Sequence, residues 1–218
     1  GALHVLEAAK EQDVERVVVA SSAAVYGETT GRVEETAPLQ PQSPYATSKL
    51  AMEQAALMFS RAYRLPTVAL RYFNVYGPRQ SVDSPYSAAI PIFIERMLSG
   101  EPPQIHGDGK QTRDFVYVEE ATRANLLAAT REEAVGQVFN IGGGGCISIL
   151  ELVQILQRLI PKSPPPEFGP PRRGDIRFSE ADIERARQAL GYRAEIDVEQ
   201  GLQRTVQWFQ TRRRNQAI

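Results

Sequence analysis

Tyr45 and Lys49 stand four residues apart, the spacing that puts a phenol and an ammonium on one face of a helix. A free tyrosine ionises near ~10, far too high for a base at neutral pH. A fixed cation beside it favours the phenolate, and the positive ring of a nicotinamide would push in the same direction. Lowering the pKa to about 7 takes roughly 4 kcal/mol, within reach of two charges in a water-poor cleft. Eight tyrosines and four lysines in 218 residues would give only about 0.15 such pairs by chance. Ser21-Ser22 offers a further hydroxyl, which could share a substrate proton with the phenol. Together they form a candidate proton-transfer site.

Such a site needs a strand to carry the serine and a helix to carry the pair. Val17-Val18-Val19-Ala20 is a continuous, β-branched apolar run, as expected of a strand buried on both faces of a parallel sheet. It delivers Ser21-Ser22 to the carboxyl end of that strand, where open α/β sheets bind ligands. Ser43 as N-cap and Pro44 at the first helical position predict a helix over 45–63, closed by Pro66. A second buried strand follows at 67–70, and a helix at 1–10 precedes the first. Helix, strand, helix, strand with short joints is an α/β alternation. From residue 74 onward, Pro- and Gly-rich segments (78–91, 100–109, 161–174) separate helices near 90–99, 119–131, 148–160, 180–190 and 198–214. Ser148-x-x-Glu151 is a capping box, residues 138–141 read as one more strand, and Gly142 to Gly145 as a strand-to-helix turn.

Composition narrows the function class. Hydrophobic residues make up 42% and charged residues 23%, ordinary for a globular protein. A net charge of −1 lacks the basic excess that counterion-release binding to nucleic acid wants. The single Cys146 excludes an intramolecular disulfide, and His4 and His106 form no metal pair, so no metal is expected. No apolar run approaches a membrane span and no signal segment is visible, so a cytoplasmic protein is expected.

Three stretches carry a family resemblance: 21–27 (Ser-Ser-Ala-Ala-Val-Tyr-Gly), 41–49 (Pro-Gln-Ser-Pro-Tyr-Ala-Thr-Ser-Lys) and 71–78 (Arg-Tyr-Phe-Asn-Val-Tyr-Gly-Pro). It continues through 107–116 (Gly-Asp-Gly-Lys-Gln-Thr-Arg-Asp-Phe-Val), 139–142 (Phe-Asn-Ile-Gly) and 172–175 (Arg-Arg-Gly-Asp). In this order they resemble the extended short-chain dehydrogenase/reductases of the NAD-dependent epimerase/dehydratase family, and within it the UDP-glucose (UDP-galactose) 4-epimerases. The resemblance implies the second half of a Rossmann-type parallel sheet over 1–73. A smaller mixed α/β substrate-binding domain would span 74–218, with 119–145 packing back on the first part. It implies NAD as cofactor and a UDP-sugar as substrate. Ser22, Tyr45 and Lys49 are then similar to the catalytic triad, with Tyr72 and Phe73 joining them along the cofactor. Asn74, Gln104, His106, Arg113, Arg172, Asp175 and Ser179 fall where the family holds its nucleotide sugar. Arg113 and Arg172 look like diphosphate clamps, Asp175 like the ribose partner, and Gln104 to His106 like the segment against uracil. Guanidinium forks suit a diphosphate. The small Ser179 leaves room for an N-acetyl group in the sugar pocket. The helices at 1–10 and 45–63 resemble those of the family's homodimer bundle.

The expected reaction is NAD-dependent 4-epimerisation of a UDP-hexose by transient oxidation at C4. Two alternatives stand beside it. A nucleotide-sugar 4,6-dehydratase would usually carry an Asp-Glu pair after the strand-end hydroxyl, where this chain has Ala23-Ala24. The other is a non-catalytic fragment that keeps the sugar clamps. No Gly-x-x-Gly-x-x-Gly follows a strand anywhere in the 218 residues. The family's phosphate loop is therefore expected in an amino-terminal half that this stretch lacks, which leaves these residues alone poor at holding NAD.

Overall fold

Val17–Ser22 (β1), Thr67–Tyr72 (β3) and Val138–Ile141 (β8) associate in a computed structural model as one parallel sheet in the order β1-β3-β8. The structure describes residues 1–82, 89–172 and 174–216. Residues 83–88 of the Pro-rich segment and Arg173 of the Arg172–Asp175 motif lie outside the described residues.

β3 is central and buried along nearly its whole length. Ala69 faces α1 (Ala2–Glu11) and α2 (Pro44–Tyr63), packing with Leu6, Ala9, Val19, Ala56 and Phe59. Val68 and Leu70 face the opposite layer, α4 (Val118–Thr130) and α6 (Glu184–Leu190), through Ala124, Ala128, Ala186 and Leu190. Burial on both faces explains the unalternated apolar run of β3. The same expectation for 17–20 is corrected: β1 lies at the edge of this sheet among the described residues, with Val17 and Val18 half-buried and Ala20 exposed. α2 begins as its sequence dictates, with Pro44 in the first turn and the Ser43 side chain accepting from Ala46 N at 3.1 Å.

The remaining chain builds short two-stranded sheets around a second core. Arg32–Val33 (β2) pairs with Glu180–Ala181 (β11), and Asn74–Tyr76 (β4) with Phe115–Tyr117 (β7). Gln104–His106 (β5) pairs with Glu167–Gly169 (β10), and Thr112–Arg113 (β6) with Ile147–Ser148 (β9). Helices α3 (Ala89–Leu98), α5 (Ile149–Leu159) and α7 (Val198–Gln216) cover β4 and β7. Ile94, Leu152 and Leu156 are fully buried there, each worth roughly 1.5–3 kcal/mol. The capping box of α5 forms as expected: Ser148 Oγ accepts from Glu151 N while the Glu151 carboxylate accepts from Ser148 N. Among the described residues no helix is long and apolar enough to cross a membrane.

One expected element is corrected. The helix predicted over 180–190 starts only at Glu184, because Glu180–Ala181 pairs with β2 and Asp182 N donates to Val33 O. Asp182 Oδ1 then accepts from Glu184 N at 2.8 Å, which fixes the helix start two residues later.

Candidate active site

Ser22 is the last residue of β1, and its Oγ accepts from Ala24 N at 3.2 Å, capping the 3-10 turn Ala23–Tyr26. Tyr45 is the second residue of α2 and is 51% exposed. Lys49, one turn on, lies with Nζ 5.7 Å from the Tyr45 ring centroid and donates to Ala20 O at 2.7 Å. Lys49 is thus tied to β1 two residues before Ser22, with the Tyr45 ring beside its ammonium.

Beyond that end a cleft opens in two connected cavities. The smaller, about 150 Å³, is walled by Ser22, Ala23, Ala24, Phe73, Asn74 and Ser179 among others, with Phe178 alongside. The larger, about 320 Å³, takes in Gln104, His106, Gln111, Arg113, Arg172 and Asp175. Asn74 and Arg113 line both and mark their junction. Tyr45 and Lys49 wall neither cavity; Lys49 reaches the strand end through its bond to Ala20 O, and Tyr45 is half-exposed beside it on α2.

Each remaining residue marked by the sequence has a definite place. Asn74 Nδ2 donates to Asp114 O at 3.0 Å and lies 3.5 Å from Ser179 Oγ. Arg113 donates to Ile176 O at 2.6 Å and Thr112 O at 2.7 Å, and pairs with the Asp175 carboxylate. Burial pulls the Arg113 pKa below the usual guanidinium value, and Asp175 works against that pull. His106 Nδ1 lies 3.3 Å from Pro170 O, and Arg172 is exposed on the wall of the larger cavity. Phe73 is buried against Tyr26. Tyr72 touches the smaller cavity, but its ring packs with the core cluster around Leu70 and Phe139, and burial pushes its hydroxyl up to about 12.

Sequence reasoning passed over three groups. Gln111 Nε2 donates to His106 O at 2.9 Å and to Asp175 Oδ2 at 3.2 Å, tying the two ends of the larger cavity; its only signal was its place within the 107–116 motif. Asp114 accepts from Gly143 N at 2.5 Å and Ala181 N at 3.0 Å, binding the turn after β8 to β11 beneath Asn74. Burial raises its pKa to about 6 despite those two donors. Glu53 and Arg71 form a buried ion pair, and a carboxylate on the apolar stripe of α2 was the available signal.

The residues present fit the nicotinamide end of a dinucleotide. Ser22, Lys49 and Phe73 cluster at the carboxyl ends of parallel strands, where such sheets take their cofactors. The paired guanidiniums of the larger cavity fit a diphosphate.

The family model described as "NAD dependent epimerase/dehydratase family" matches residues 1–142. The chain belongs to that family. A putative UDP-glucose 4-epimerase of Methanocaldococcus jannaschii is 38% identical over 216 residues, covering 98% of this chain and 69% of the relative. A solved structure of UDP-N-acetylglucosamine 4-epimerase from Methanobrevibacter ruminantium, in complex with UDP-N-acetylmuramic acid, superposes with a TM-score of 0.92 at 38% identity. It is matched over 97% of this chain and 68% of its own. A dTDP-glucose 4,6-dehydratase of Neisseria gonorrhoeae is 37% identical, over 88% of this chain and 59% of the relative. The chain thus spans 59–69% of the length of these relatives. This family is NAD-dependent and α/β, as the motifs implied.

Proposed function

We propose that this chain carries the catalytic and sugar-binding part of a UDP-hexose 4-epimerase. The observation that supports the reading is the Lys49–Ala20 bond, which ties the Tyr45–Lys49 face of α2 to the strand that ends in Ser22. Ser22 lines a cavity that shares Asn74 and Arg113 with the cavity of Arg113 and Arg172. UDP would occupy the larger cavity, its diphosphate on Arg113 and Arg172, its ribose near Asp175, its base along Gln104 and His106. The hexose would enter the smaller cavity, held by Asn74 and facing Ser22.

Bound NAD would supply a reversible hydride acceptor at C4 of the sugar. Tyr45, supported by the Lys49 ammonium, takes the O4 proton as C4 is oxidised and returns it when C4 is reduced from its other face. Ser22 holds that oxygen by a hydrogen bond. Between the two transfers the 4-keto sugar turns over, and the diphosphate clamps keep it from leaving.

A dehydratase must also expel water, which calls for an additional acid and base near the sugar. Ala23 and Ala24 stand on the wall of the smaller cavity and offer neither, which favours epimerisation over the dehydratase reading. The small Ser179 beside Asn74 supports acceptance of UDP-N-acetylhexosamines alongside UDP-glucose and UDP-galactose, and a relative of that specificity is among the structural neighbours. Leu3 and Val5 on α1 and Met58 on α2 are exposed, which suits pairing of these helices with a second copy. The single unpaired Cys146 suits a cytoplasmic setting.

The test is interconversion of UDP-glucose and UDP-galactose by the full-length protein with NAD. Turnover that Tyr45→Phe abolishes supports the reading. Water elimination to a 4-keto-6-deoxy sugar would assign a dehydratase instead. UDP binding without turnover would reduce the chain to a binding module.

A further inference from the structure

Two consecutive residues of β1 are held from one helix, and the third, Ser22, follows them directly. Ala20 O accepts from Lys49 Nζ at 2.7 Å, Ser21 Oγ donates to Glu53 Oε2 at 2.6 Å, and Ser22 lines the smaller cavity. Glu53 lies one turn beyond Lys49 and two beyond Tyr45, roughly 6 and 12 Å along the helix. Arg71 of β3 grips the Glu53 carboxylate with a fork, Nε to Oε2 at 2.9 Å and Nη2 to Oε1 at 2.5 Å. The guanidinium also reaches the other side of Ser22. Its Nη1 donates to Tyr26 Oη at 2.8 Å, and Tyr26, at the end of the turn that Ser22 caps, donates to Asn140 Oδ1 at 2.6 Å.

The side chains of Arg71 and Glu53 are 4% and 2% exposed. A buried ion pair is a poor way to gain stability, because well-packed apolar side chains of similar volume commonly do as well or better. A bidentate fork does fix angle and register, which an apolar contact leaves loose. Here the fork joins the helix that carries Tyr45 and Lys49 to the turn that follows Ser22.

We propose that Glu53, clamped by Arg71 and Ser21, is a positioning residue that sets the Tyr45–Lys49 face of α2 against Ser22. The inference rests on the 4-epimerase reading above. It predicts that loosening the clamp lowers the rate of the chemical step and leaves sugar binding in the distant Arg113 cavity untouched.

The test uses the full-length protein with UDP-galactose and NAD. Ser21→Ala removes one arm of the clamp while leaving the ion pair whole. Its kcat should fall on the order of tenfold with KM unchanged, since small displacements of catalytic groups cost that much or more. Ser21→Thr, which keeps the hydroxyl, should restore the rate. Glu53→Gln alone strands a buried guanidinium and invites misfolding, so the double variant Glu53→Gln/Arg71→Met is the folded control and should show the same kcat loss. An unchanged kcat in Ser21→Ala and in the double variant overturns the proposal. So does a parallel loss of kcat, sugar affinity and thermal midpoint that Ser21→Thr fails to restore. Should the parent protein lack epimerase activity, the functional reading falls, and a crystal structure of Ser21→Ala decides the positioning role. Loss of the Lys49–Ala20 bond there supports it, and an intact bond overturns it.

Discussion

Lys49 Nζ donates to the carbonyl of Ala20 at 2.7 Å, two residues short of Ser22 in the same strand. A single bond thereby locates the cation of α2 relative to the hydroxyl of β1, with the Tyr45 ring 5.7 Å from that cation. Replacing Lys49 by Met should leave the fold intact, because the side chain is only partly buried, and should lower kcat by about 10²–10⁴. Tyr45→Phe should do the same. Steady-state kinetics on the full-length protein checks both, and retention of UDP binding by titration calorimetry separates lost chemistry from lost binding.

Asp114 couples stability to pH. Its carboxyl is held neutral up to about 6 by burial, against 3.8 in an exposed carboxylate. Between those values the folded chain binds a proton that the unfolded chain has released, so stability falls as pH rises through the window. The loss amounts to about 3 kcal/mol from this group. Urea denaturation between pH 4 and 7 should show that slope, and Asp114→Asn should flatten it. A slope unchanged in the variant would assign the dependence elsewhere.

Gly143 lets two segments approach closely. A Cβ there would lie 2.2 Å from the Phe115 carbonyl oxygen, a backbone atom with little freedom to retreat. Gly143→Ala should therefore cost roughly 1–3 kcal/mol and loosen the Asp114 hydrogen bond to its amide. Thermal melts of the variant give the magnitude, and a midpoint equal to the parent's would show that the turn can shift.

Ser179 sits beside Asn74 in the smaller cavity. Ser179→Tyr should fill part of it and depress turnover of UDP-N-acetylhexosamines more than of UDP-glucose, by ~10-fold or more given what a misfit in a pocket costs. Equal activity of the variant on both sugar classes would count against the assignment.

The 218 residues by themselves contain no glycine-rich loop of the Gly-x-x-Gly-x-x-Gly type to cradle a dinucleotide diphosphate. Expressed as such, they should purify without NAD, and the nucleotide content after acid release would measure it. Stoichiometric NAD(H) in that preparation would refute the expectation.

Local patterns were enough to read the strands β1, β3 and β8 and the start of α2. Burial on both faces leaves an unbroken apolar run in β3, β1 shows a β-branched run although it is only half-buried, and Ser43-Pro44 determines a helix start through neighbours only three residues away. The i, i+4 relation of Tyr45 and Lys49 was legible for the same reason: a helix fixes it without help from the rest of the chain. The short strands were not legible. Pairs such as Thr112–Arg113 with Ile147–Ser148 are too brief for periodicity to register, and Glu180–Ala181 was read as helix because its partner lies near residue 32.

The sequence by itself determined which groups could do the chemistry and the order in which they are strung. Only the tertiary structure decided what holds Lys49, namely Ala20, and which unmarked groups brace the site: Arg71 on Glu53 and Tyr26, Asp114 on Gly143 and Ala181. Those bonds join residues from 18 to 67 positions apart. Their geometry depends on how sheet and helices pack, and local sequence carries no record of it.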